Sequence, residues 1–151
     1  HALVFGGGGY GGSMDSPNFG TSTDPATTFT TSSANHYRAG DLANCIWYIH
    51  DDISIDAVKS FEGADAATGD TTRMHLFSYD FTSGATNCLT NGALVAHNSD
   101  VTNAGDEQPY LSSWTVDTAA VASGKVILAF FKSDSINSDY SINIQIKYHL
   151  T

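Results

Sequence analysis

Tyr140-Ser141-Ile142-Asn143-Ile144-Gln145-Ile146-Lys147-Tyr148 decides the fold class. Isoleucine at every second position, separated by Asn, Gln and Lys, has the period of a β-strand, whose side chains alternate between two faces. The reading puts Ile142, Ile144, Ile146 and Tyr148 in a core and Asn143, Gln145 and Lys147 toward solvent.

Working back from this strand, Lys125-Val126-Ile127-Leu128-Ala129-Phe130-Phe131-Lys132 is a continuous apolar run between lysines, short enough for a buried strand. Tyr110, Ser112, Trp114 and Val116 alternate with Leu111, Ser113 and Thr115. A polar loop is expected from His97 to Gln108, and Asn91-Gly92 is a turn signal ahead of Ala93-Leu94-Val95-Ala96. In the next strand back, Met74 and Leu76 face one way and His75, Phe77, Tyr79 and Phe81 the other. Apolar bulk on both faces predicts a strand covered on both sides, or one at an interface. Gly63 to Asp70 reads as a polar turn. Before it, Ile53, Ile55, Ala57 and Val58 alternate and then slip by one residue, as at a bulge. Cys45-Ile46-Trp47-Tyr48-Ile49-His50 is a further strand, and Asp117 to Ser123 has the composition of a single helical turn capped by Asp117.

Roughly eight strands punctuated by turns predict an all-β domain. Their connections vary too much in length for an up-and-down barrel, so the expected architecture is a two-sheet antiparallel β-sandwich of jelly-roll type over residues 34–151. Composition agrees. Of 151 residues only 15% are charged and 41% are hydrophobic, where soluble domains carry about 25% charged residues. Ser, Thr, Asn and Gly make up the difference, and Asp, a turn residue, far outnumbers Glu.

Residues 1–33 read differently. The short apolar strand Ala2-Leu3-Val4-Phe5 runs into Gly6-Gly7-Gly8-Gly9-Tyr10-Gly11-Gly12 and then a Ser/Thr/Asp/Pro stretch. Glycine runs build no core of their own. The expectation is a Gly-rich amino-terminal arm that orders by docking on a neighbouring subunit, with Ala2, Leu3, Val4, Phe5 and Tyr10 as its contact residues and few contacts to its own domain. The alternative is a plain flexible leader. The sequence opens at His1 without an initiator Met or a signal peptide, which reads as a processed, trimmed or partial chain.

The formal net charge is −10, and the six Lys and Arg are scattered singly. Nucleic-acid binding needs a basic stripe, and an anionic membrane surface repels such a chain, so neither partner is expected. There is no apolar run of about 18 residues to span a bilayer. The charge suits a protein displayed on an outer surface.

No catalytic pattern has a defensible spacing. There is no Gly-x-Ser-x-Gly elbow, and the glycine run lacks the following Lys-Ser/Thr of a phosphate loop. The six histidines, His1, His36, His50, His75, His97 and His149, never stand two or four apart, and no Cys-x-x-Cys accompanies them. His50 with Asp51, Asp52 and Asp56, and Asp134 with Asn137 and Asp139, offer calcium-type oxygens, but each reads better as a solvated turn. Neither cofactor nor metal is expected. Cys45 and Cys88 are compatible with one disulfide or with two buried thiols, Cys45 in a core strand. Trp47, Tyr110 and Trp114 are candidates for a sugar-binding platform, with core packing as the competing role.

The segments Gly124-Lys125-Val126-Ile127-Leu128-Ala129-Phe130 and Tyr140 to Leu150, closing on Lys147-Tyr148-His149, resemble virion structural proteins of marine tailed bacteriophages. Ser54-Ile55-Asp56-Ala57-Val58-Lys59, Thr71 to Asp80 and Leu89-Thr90-Asn91-Gly92-Ala93-Leu94-Val95-Ala96 are similar too, so the resemblance spans about residues 40 to 150. It implies a viral structural protein at the virion surface: a capsid decoration, head fibre or tail component. Such a protein is non-enzymatic and assembles with copies of itself, as a trimer or in higher symmetry, and with other virion proteins. Two other classes remain open: a subunit of a cellular surface filament whose Ala2–Phe5 strand completes a neighbour's sheet, and a carbohydrate-binding module.

Overall fold

A computed structural model describes residues 1–5, 46–65, 67–85, 89–105, 107–133 and 139–151. Among these there is no helix; eleven strands form two antiparallel sheets. They are β1 (Ala2–Phe5), β2 (Ile46–Tyr48), β3 (Ile53–Asp65), β4 (Thr71–Phe81), β5 (Leu89–His97), β6 (Val101–Thr102), β7 (Gln108–Ser113), β8 (Thr115–Val116), β9 (Ala120–Val121), β10 (Lys125–Ser133) and β11 (Asp139–Leu150). One sheet runs β1-β11-β3-β7, with β9 also on β3; the other runs β2-β10-β4-β5-β8, with β6 also on β4. The sandwich expected from the strand pattern is the observed fold.

The isoleucine strand behaves as its alternation requires. Ile142, Ile144 and Ile146 of β11 are buried with Ile55 and Val58 of β3, and they meet Met74, Leu76, Ile127, Ala129 and Phe131 of the other sheet. The slip read in β3 is real: Lys147 pairs with Ala57 but Tyr148 pairs with Ile55, leaving Asp56 as the extra residue of a bulge. Past that bulge Ile55 and Ile53 of β3 stay buried, while β11 leaves the core. Tyr148, expected inside, is 39% exposed and lies at the rim, 5.0 Å from Trp47.

Both faces of β4 are covered, so Met74 to Tyr79 are buried without interruption. Met74 and Leu76 join the core between the sheets, while Phe77 and Tyr79 pack with Leu89, Val126, Leu128 and Phe130 on the other face. Burial on two faces explains why β10 reads as a continuous apolar run.

Three local expectations are corrected. Asn91-Gly92 makes no turn between strands. Asn91 takes φ 51° inside β5, beside a register irregularity against Ser78–Asp80, and its amide donates to Asp80 Oδ2 at 2.6 Å. Asparagine tolerates that left-handed backbone, so the same signal serves a bulge as well as a hairpin. Asp117 to Ser123 forms no helical turn; Ala120–Val121 is β9, paired to Ser54 and Ile53. The polar stretch from His97 to Gln108 contains β6.

Candidate assembly surfaces

Ala2–Phe5 has a place on its own chain. As β1 it extends the first sheet beside β11, in the register Ala2↔Gln145, Leu3↔Ile144, Val4↔Asn143, Phe5↔Ile142. Leu3 is 2% exposed within the main core cluster. His1 exchanges both backbone hydrogen bonds with Ile146, at 2.9 and 2.8 Å, and its ring stacks on Trp47 at 4.2 Å. The expectation that this segment makes few intradomain contacts therefore fails. Leu3, opposite the buried Ile144, gives this short strand an apolar side chain to bury at the open sheet edge. Tyr10, Cys45, Cys88 and His36 lie outside the described residues, as do Asp134 and Asn137.

On the outward face of the first sheet two large apolar side chains, on neighbouring strands, remain in water. Past the bulge, Val58, Ser60 and Glu62 turn inward, so Lys59, Phe61 and Gly63 turn outward. Phe61 pairs with Leu111 of β7 on one side and Asn143 of β11 on the other. Phe61 is 53% exposed and Leu111 61%. The next row holds Gln145, Lys59 and Ser113, and Lys147 follows opposite Ala57. The Gln145 amide donates to Asn143 Oδ1 along this surface.

Phase after the bulge also buries a carboxylate that the sequence reading missed. Glu62 is 3% exposed between the sheets, and the Thr72 hydroxyl reaches its two oxygens at 2.8 and 3.0 Å. Burial pushes the carboxyl up from 4.5 to about 7, against the opposing pull of the Thr72 hydrogen bond. Carrying the alternation on from Val58 through Ser60 reveals it, because the slip moves even-numbered residues to the inside.

The residues considered for chemistry go to separate partners. Asp52 accepts from the Ser123 amide at 2.8 Å, Asp56 holds His149 Nδ1 at 2.8 Å, and His50 meets the Tyr48 ring edge-on. His97 Nδ1 lies 2.7 Å from Asp117. At Asp80, Lys125 at 2.8 Å and then Asn91 hold the carboxyl below the usual carboxylate range. No group of three or more His, Cys, Asp or Glu among the described residues is arranged to hold a metal ion. The aromatic candidates are likewise engaged. Trp114 is buried, its indole N–H donating to Ser60 at 2.9 Å; Trp47 lies under His1; and the Tyr110 hydroxyl donates to Asn103 and accepts from the Ala104 amide. They form no exposed coplanar platform.

Neither family models nor curated protein sequences match this chain. The class defined by the described residues is an antiparallel all-β sandwich with an edge strand drawn from the amino-terminal end of the chain.

Proposed function

We propose that the chain is a non-enzymatic structural subunit of a phage virion, a capsid decoration or fibre protein that assembles with copies of itself through sandwich surfaces and its Ala2–Phe5 strand. The observation that carries this reading is the exposed Phe61–Leu111 pair, side by side on the outward face of the first sheet. Surface apolar side chains that sit together, unlike ones scattered singly, mark places where proteins meet.

The strand order supports the jelly-roll form. Its eight longer-range partners fall as β1-β11-β3-β7 in one sheet and β2-β10-β4-β5 in the other, each sheet interleaving strands from both halves of the chain. That double-sheet arrangement is used by viral capsid and lectin domains alike, so fold analogy favours a virion role without selecting it alone. The engagement of Trp47, Tyr110 and Trp114 in packing weighs against a lectin-like platform.

The filament reading keeps one specific support. β1 is an edge strand whose slot beside β11 accepts any copy's Ala2–Phe5 in the same register. In either assembly the expected partners are proteins, and a trimer is the symmetry implied by the virion resemblance.

Antibodies raised against the chain test the reading. Regular labelling of virion heads or tails by electron microscopy is the expected result. Labelling confined to filaments on cells replaces it with the alternative, and labelling of neither overturns both.

A further inference from the structure

Asn91-Gly92 is not the turn that its sequence suggests, and its surroundings suit it to a different chemistry. Across the β4–β5 pairing Ser78 stands opposite Ala93 and Asp80 opposite Thr90, so Asn91 and Gly92 together face the single residue Tyr79. Two residues against one leave a residue outside the ladder. Thr90, Asn91 and Gly92 are all exposed, and Asn91 holds φ 51°. The Asn91 carboxamide therefore stands in water next to a peptide nitrogen whose own residue has no side chain to block an approach. Asn91 is the one asparagine in the chain that is followed by glycine. Among the described residues, Asn98 and Asn103 are buried, and Asn143 precedes the β-branched Ile144 within β11.

We propose that Asn91 is a site of spontaneous covalent modification, closing on the Gly92 nitrogen to a succinimide, with Asp80 as the positioning residue that restrains it. In this step the Gly92 nitrogen gives its proton to water and forms a bond to Asn91 Cγ. The Cγ–Nδ2 bond breaks, and Nδ2 takes a proton from water and leaves as ammonia. A water molecule then opens the ring. Opening at the Cγ carbonyl gives aspartate; opening at the Asn91 backbone carbonyl gives isoaspartate, whose main chain runs through the side-chain carbons. Water is the co-reactant, and nothing is oxidised or reduced.

The restraint follows from geometry. The Asn91 amide donates to Asp80 Oδ2 at 2.6 Å, and Asp80 Oδ1 accepts from Lys125 Nζ at 2.8 Å. Lys125 lies across from Asp80 on β10, so three neighbouring strands hold the carboxylate and the carboxamide in place. For the ring to close, the carboxamide has to swing off Asp80 and bring Cγ over the Gly92 nitrogen. Hydrogen bonds to an ionised acceptor are the stronger kind, so the resting side chain is held away from reaction. The product sets a carboxylate where the amide had donated, so conversion replaces a hydrogen bond to Asp80 with a like charge. None of this depends on the chain being a virion subunit.

The folded full chain, the same chain in guanidinium chloride, and the Asp80→Ala and Asp80→Asn variants are kept in neutral buffer to test this. Peptide mapping by mass spectrometry follows the exchange of NH2 for OH at each asparagine, and enzymatic methylation scores isoaspartate. The folded wild type is expected to convert at Asn91 ahead of Asn98 and Asn103, about tenfold more slowly than the chain in guanidinium chloride. Asp80→Ala is expected to recover about that tenfold, the factor for losing one charge-assisted hydrogen bond. Asp80→Asn, which keeps the shape and a neutral acceptor, falls between the two. Circular dichroism melting checks that each variant is folded. An Asn91 that stays intact in the folded protein long after the unfolded chain has converted overturns the site. A rate unchanged in both variants, or an acceleration shared equally by Asn98 and Asn103, overturns the role of Asp80.

Discussion

Glu62→Gln is the substitution whose effect the structure defines most sharply. The carboxylate sits between the sheets with the Thr72 hydroxyl as its hydrogen-bond donor, and burial lifts its pKa from 4.5 to about 7. For an acid raised in the folded state the sign is fixed: stability is fully present below about pH 4.5 and is lost as pH rises through about 7. At about 1.36 kcal/mol for each pKa unit, ionising Glu62 inside the sandwich costs about 3 kcal/mol once the pH is well above 7. Glutamine keeps the shape and an oxygen for Thr72 but carries no charge. Urea unfolding of both proteins from pH 5 to 8.5 should therefore give curves that lie close together at the acid end and separate toward alkaline pH, the variant becoming the more stable by up to about 3 kcal/mol. Parallel profiles across that range would refute the reasoning, since they mean that Glu62 ionises in the folded protein as freely as in the unfolded one.

Two further outcomes follow from the packing of the first sheet. Ile144→Ala, at a position with no exposure, should lower stability by about 2–5 kcal/mol in the same unfolding assay, and a loss below about 0.5 kcal/mol means the face is misassigned. Leu3→Ala should cost at least about 2 kcal/mol, because its side chain lies in the core rather than on a free arm; an unchanged midpoint would mean that β1 does not rest on its own β11 in solution.

Strand positions legible in the sequence were those where one periodicity faced one environment. The alternation in Ile142 to Ile146 and the slip in Ile53 to Val58 each carry a register, since a shift by one residue exchanges core and solvent faces. The uninterrupted run Val126 to Phe131 carried two-sided burial for the same reason. Asn91-Gly92 misled because a positive φ is required equally by a tight turn and by a bulge, and only the strand across from it distinguishes them. Glu62 was missed because its polarity overrode its phase.

The exposed row and the buried carboxylate show where local information stops. Phe61 and Leu111 are apolar residues on strands that also carry inward positions, and nothing in their neighbours along the chain says that they stand side by side in water. That follows from β3 pairing with β7, residues fifty positions apart in sequence. The aromatic candidates are decided the same way, by Ser60 reaching Trp114 and His1 covering Trp47.

By itself the sequence determined the class of fold, the three inward isoleucines of the last strand though not its Tyr148, the two-sided burial of β4 and β10, and the bulge in β3, because hydrophobic burial acts on the two-residue period of each strand independently of its partners. Tertiary structure alone decided which strands are neighbours, that Ala2–Phe5 completes a sheet edge, that Glu62 is sealed against Thr72, and that Phe61 meets Leu111 on an open face. Each of these depends on pairing between segments distant along the chain, and the energy of such a contact is a property of two strands and their register, which neither strand encodes alone.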